Sequence, residues 1–134
     1  KILKNFDWTF IEKQTEDDAY EFIKNTKSYL VNQDCTLGYE LLSKYYRVAF
    51  FSIRGNVINT HGFNFGWPFK LPDKGNFWTN YPSIKEFKEI LNFVVNSSEL
   101  EWKKEVDKII EEIMIYDHSN SKLKLELDSL IKKL

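Results

Sequence analysis

Cysteine is almost missing from this chain. Cys35 is the only one in 134 residues, so no internal disulfide can staple the fold. Two histidines, His61 and His118, lie far apart and do not complete a zinc set with one cysteine. Arginine is nearly as scarce, with only Arg47 and Arg54. Bidentate recognition of phosphate or guanine prefers that side chain, so its scarcity weighs against a nucleic-acid backbone as the main partner. The net charge of −1 points the same way.

Glycine and proline are sparse and clustered. All three prolines (Pro68, Pro72, Pro82) and three of the five glycines (Gly62, Gly66, Gly75) lie within or beside residues 61–81. Gly62 and Gly66 are not followed by Gly-Lys-Ser/Thr, so no phosphate-cradling loop is encoded. No serine sits in a nucleophile-elbow pattern. No run approaches the ~18 apolar residues of a membrane span, and no signal-peptide pattern is visible. These absences predict a cytoplasmic protein with no cofactor, no bound metal and no membrane segment.

Aromatic side chains are abundant, at 16% of residues. They crowd into the same stretch as the prolines: Phe63, Phe65, Trp67, Phe69, Phe77, Trp78 and Tyr81. Large rings dominate both cores and recognition surfaces. The sequence does not say which of the two this stretch is. Hydrophobic residues at 43% and charged residues at 29% form an ordinary globular balance. One domain over residues 1–134 is expected, long enough to bury about two-thirds of its unfolded surface.

Periodicity predicts an α+β fold. Phe6, Trp8 and Phe10 alternate as a strand does. Thr15 reads as an N-cap for a helix over about 16–31, with Glu16, Asp17 and Asp18 in its first turn. Leu37, Leu41, Leu42 and Tyr45 suggest a short second helix. Val48–Ile53 reads as a buried strand, Arg54-Gly55-Asn56 as a turn, and Val57-Ile58 as the start of a return strand. At period two, that return strand runs on through Phe63, Phe65, Trp67 and Phe69. Leu71–Tyr81 reads as a loop. The pairs Ser83/Glu86 and Ser98/Glu101 open helices by the capping-box pattern, and leucines from Leu123 to Leu134 give a last amphipathic helix. The expected architecture is a small three-stranded antiparallel sheet against about four to five helices, the C-terminal third being all helical.

The functional expectation is a non-catalytic protein-binding domain, such as a small inhibitor or immunity-type protein. Its anchors would be Trp67, Phe69, Trp78 and Tyr81, with Lys70 and Lys74 at the rim. The partner is expected to be a protein whose identity, like the oligomeric state, the sequence leaves open. Nucleic acid is the weaker expectation. Leu41 to Pro72 contains no Asp or Glu but does contain Lys44, Arg47, Arg54, Lys70 and His61 among its rings. That pattern suits a nucleic-acid or small-ligand platform built on Phe63 and Phe65, with Arg47, Arg54 and His61 beside it. Its bland counterpart is a buried strand region that excludes acids for packing reasons. A third reading places an enzyme or nuclease centre at His61 with Arg54 and Asp73.

Overall fold

The computed structural model describes residue 12 and residues 18–25, 30–33, 35–114, 117 and 119–133. The strand expected over Phe6–Phe10, the cap at Thr15, and His118 lie outside the described residues. In chain order the elements are α1 (Asp18–Asn25), β1 (Leu30–Asn32), α2 (Thr36–Ser43), β2 (Val48–Phe51), α3 (Arg54–Val57), a 3-10 turn (His61–Phe63), β3 (Trp78–Thr79), α4 (Ile84–Asn96), α5 (Glu99–Asp107), α6 (Ile110–Ile113) and α7 (Ser121–Ile131). No described helix is long and apolar enough to cross a membrane.

The sheet corrects the expected architecture. Its order is β1-β2-β3, and both pairings are parallel, not antiparallel. Leu30 pairs with Val48, and Phe50 pairs with Trp78. The physical reason lies in Val48–Phe51, where all four residues are buried. A hairpin strand with one wet face alternates in polarity, whereas a parallel strand covered on both faces reads as an unbroken apolar run. Phe50 packs against Tyr39 of α2, while Phe51 stacks on Phe87 of α4 at 4.2 Å between centroids. Successive side chains of a strand point to opposite faces, so β2 is covered on both. Helix α2 packs on β1 and β2 as the crossover that parallel strands require.

The supposed hairpin turn is the one-turn helix α3 instead. Gly55 is there for space: a Cβ would meet the Thr60 carbonyl oxygen and Asn64 Oδ1, each at 2.6 Å. Val57 and Ile58 are exposed and belong to no strand. Of the helix expected over 16–31, Asp18–Asn25 is helical, whereas Leu30–Asn32 is a strand.

Several ends are well determined. Ser98 and Glu101 complete a reciprocal capping box. Ser83 accepts from the Glu86 N–H, but the Glu86 side chain turns away to Thr79. Helix α2 closes with Tyr45 N–H donating to the Leu42 carbonyl and Tyr46 N–H to that of Leu41. This Schellman arrangement puts Tyr45 at φ 63°, a position usually held by glycine. Its carbonyl in turn accepts from Trp102 Nε1 at 2.9 Å.

The core is a chain of rings. Tyr39 meets Phe50, Phe50 meets Phe65, Phe65 meets Trp78, Trp78 meets Phe77, and Phe77 meets Trp102, each at 4.8–5.2 Å between centroids. Burying each such side chain contributes about 1.5–3 kcal/mol.

Candidate functional site

The aromatic stretch divides into an inward and an outward set. Phe65, Phe77 and Trp78 are core residues. Trp67 and Phe69 are 62% and 50% exposed, and Tyr81 is 40% exposed. The period-two strand that would have aligned Phe63, Phe65, Trp67 and Phe69 does not form. The 3-10 turn and a run of tight turns replace it, so neighbouring odd positions face different ways.

These turns are pinned at several points. Trp67 N–H donates to the Asn64 carbonyl at 3.1 Å, and Phe69 N–H to the Gly66 carbonyl at 2.9 Å. Gly66 N–H donates to the Tyr39 hydroxyl at 3.0 Å. Gly66 adopts φ 77°, which suits glycine alone without strain. Phe65 N–H donates to Asn80 Oδ1 at 2.9 Å, which ties the segment to the strand end after β3. Trp67 and Phe69 are thus displayed from a hydrogen-bonded base whose root, Phe65, is in the core.

Beside this ridge lies a polar pocket of about 260 Å³, where the chain leaves the C-terminal ends of β2 and β3. It is lined by Asn59, His61, Asn64, Asp73, Asn80 and Tyr81, among others. Ligand sites of parallel sheets gather at this end, because the loops that follow the strands converge there. Asp73 is the hub. Its Oδ1 accepts from Asn80 Nδ2 at 3.0 Å and, more loosely, from Asn64 Nδ2 at 3.4 Å. Its Oδ2 accepts from the Tyr81 hydroxyl at 2.9 Å. The hydrogen bonds from Asn80 and Tyr81, with the nearby His61, hold the Asp73 carboxyl below its ordinary range. Donation to that carboxylate pushes the Tyr81 phenol up. Both effects keep the carboxylate charged and the phenol protonated at neutral pH. His61 Nδ1 contacts Asn64 Nδ2 at 3.5 Å.

Asn64 also lines an adjoining groove of about 400 Å³ with Tyr39, Phe63, Trp67, Ile113 and Met114. The two hollows therefore meet at one amide, polar on one side and aromatic on the other.

The remaining anticipated residues fall in different places. Lys70 is exposed. Lys74 is exposed and pairs with Glu86 at 3.2 Å. Thr79 donates to the same carboxylate and, with Lys74, holds the Glu86 carboxyl below its usual value. Trp78 is only 7% exposed and donates from Nε1 to the Pro72 carbonyl at 2.9 Å, so it is a core residue. Phe65 is likewise sealed. Arg47 donates to the Val94 and Ser97 carbonyls and to Ser97 Oγ, closing the end of α4, and lies over Trp102. The Arg54 guanidinium sits 4.3 Å from the centroid of half-buried Phe63. His61 and Asp73 do share one pocket, joined through Asn64. Among the described residues no group of three His, Cys, Asp or Glu could hold a metal ion.

A family model described as "putative O-antigen biosynthesis protein" matches residues 1–131. The chain belongs to that family. No curated protein and no solved structure matches it.

Sequence reasoning passed over Asn64 and Asn80. Asn80 stands in what reads as loop, where asparagine is ordinary turn chemistry, and Asn64 falls on the small-residue face of the expected return strand. The available signal was Phe77-Trp78-Thr79 running into the Ser83 cap. A strand followed at once by a helix marks a strand-to-helix junction of a parallel sheet, and the residues at that junction line sites.

Proposed function

We propose that the protein is a non-catalytic binding module that grips a protein partner through the outward rings of residues 63–81. The observation that carries this reading is the pair Trp67 and Phe69, at 62% and 50% exposure on a pinned segment. Recognition surfaces favour large rings held in place before binding, because little side-chain entropy is then lost on association. Tyr81 stands as a further contact and Lys70 as a rim charge. Trp78 takes part only as the support beneath them. The family description supports a role in O-antigen biosynthesis, so the partner sought is a protein of that assembly. An inhibitor or immunity-type protein would use the same ridge.

The nucleic-acid reading has less support. Arg47 could reach a phosphate only by releasing the end of α4, and Phe65 could stack on a base only by leaving the core.

The test has two stages. The immobilised protein captures partners from extract of the source cells, and each candidate is then purified and titrated. Phe69→Ala is expected to weaken capture by about tenfold or more, with the thermal midpoint unchanged. Equal affinity of wild type and Phe69→Ala for every purified candidate would refute the reading.

A further inference from the structure

We propose that the two hollows meeting at Asn64 form a saccharide-binding site, with Asp73, Tyr81 and the asparagines taking ring hydroxyls and Trp67 taking the apolar face of the sugar. The proposal concerns a small ligand, and it stands whether or not a protein docks on the ridge.

The chemistry of the lining selects the class. A pyranose has hydroxyls that both donate and accept around its edge, and a flatter C–H face that packs on an aromatic ring. The polar hollow supplies matching groups in close order. Asp73 Oδ1 is taken up by Asn80 and, more loosely, by Asn64, while Oδ2 accepts only from Tyr81 and keeps one lone pair for a ligand hydroxyl, since each carboxylate oxygen can accept about twice. Tyr81 donates inward to Asp73, which leaves its oxygen to accept from a ligand hydroxyl. Asn59 lines the hollow with an amide that can donate and accept at once, and Asn64, whose Nδ2 faces Asp73 and His61, adds its Oδ1 as an acceptor. Asp73 is held in its charged form, so it acts as an acceptor across the neutral range.

Other ligand classes fit less well. A phosphate or carboxylate ligand would face the Asp73 carboxylate at the hub. A wholly apolar ligand would take water from the charged Asp73 carboxylate, whose Oδ2 has only Tyr81 as a donor, and would offer no hydrogen bond in return. A polyhydroxylated ligand satisfies the edge groups and still uses Trp67, Phe63 and Tyr39 in the adjoining groove.

The test is a ¹H–¹⁵N NMR titration with methyl hexopyranosides and N-acetylhexosamine glycosides, using glycerol as the control polyol. One or more sugars should shift the side-chain amides of Asn59 and Asn64 and the Trp67 indole N–H together. The expected dissociation constant is on the order of 1 mM. Asp73→Asn and Trp67→Ala should each weaken binding about tenfold, whereas Phe69→Ala should not change it. Since Phe69 belongs to the proposed protein contact, its variant separates failure of that reading from failure of this one. Melting curves of the unliganded variants guard against loss of fold. If Asp73→Asn does not fold, Tyr81→Phe replaces it, removing the hydroxyl alone. The proposal is overturned if no sugar shifts these three signals, if glycerol does so equally, or if the shifts persist unweakened in folded Asp73→Asn or Tyr81→Phe.

Discussion

Replacing Asn80 with alanine cuts the buried side chain that joins the backbone of the aromatic segment to the Asp73 loop. Asn80 is 3% exposed, and its amide serves both sides. Its Oδ1 accepts from Phe65 N–H at 2.9 Å, and its Nδ2 donates to Asp73 at 3.0 Å. Alanine leaves the Phe65 N–H buried without a partner, which costs roughly 1–3 kcal/mol. The bond to Asp73 counts for less, because that carboxylate is exposed and water can replace the amide, so we assign it about 0.5–1 kcal/mol. The expected loss is therefore roughly 1.5–4 kcal/mol, against about 0.5 or less for Asn96→Ala on the exposed face of α4. Urea unfolding measures the sum. Amide hydrogen exchange localises it, since Phe65 N–H should lose protection far more than the amides of α5. A loss below about 0.5 kcal/mol with Phe65 still protected would refute the claim that this amide is the latch. It would also remove the reason given for the rigidity of the Trp67–Phe69 ridge.

Two further predictions follow from the same geometry. In Gly75→Ala the new methyl would meet Trp78 ring atoms at 2.1–2.5 Å, so the ring or the loop must move. Overpacking of that kind costs about 1–3 kcal/mol, and the near-ultraviolet circular dichroism of the tryptophans should change with it; an unaltered spectrum and midpoint would contradict the packing. Asp117 accepts from Lys122 N–H, Ser121 Oγ and Ser119, and the first of these does most to lower its carboxyl from 3.8 to about 2. A depressed folded value means that its support of the α7 start is complete above pH 3.8 and fades as pH falls towards about 2. A ¹³C-detected carboxyl titration should therefore show an Asp117 midpoint well below the ordinary aspartate value of 3.8, and Asp117→Asn should fray Ser121–Lys124 at neutral pH. A midpoint at 3.8 or above would contradict the arrangement.

How much of this was readable beforehand depends on how local the cause is. The Ser98/Glu101 box was legible because both partners lie within one turn. Val48–Phe51 was legible as a buried strand, but not in its pairing. Parallel contact with Leu30–Asn32 and Trp78–Thr79 is set by segments nearly twenty and thirty residues away, and each is too short to show a period. Leu30 also fitted the helical spacing of Phe22 and Ile23, which hid β1. Arg54-Gly55-Asn56 looked like a hairpin turn because glycine marks both turns and close contacts, and only the approach of Thr60 and Asn64 reveals the second. The aromatic alternation misled for a similar reason. Turns at Gly66 and Pro68 reorient each ring, so that Phe65 goes inward and Trp67 outward. The pocket was partly visible: His61 and Asp73 were grouped in one reading and Tyr81 was named in another, but Asn80, which hydrogen-bonds Asp73, had no signature of its own.

The most direct test of the account sets affinity against stability in one double variant. Trp67→Ala with Phe69→Ala removes both outward rings and leaves Phe65, Phe77 and Trp78 in place. The account predicts that a purified protein partner binds at least about a hundredfold more weakly. It also predicts that the urea midpoint stays within error of the wild type. A variant that unfolds, or that binds its partner as tightly as before, would contradict the claim that these two rings face outward to grip.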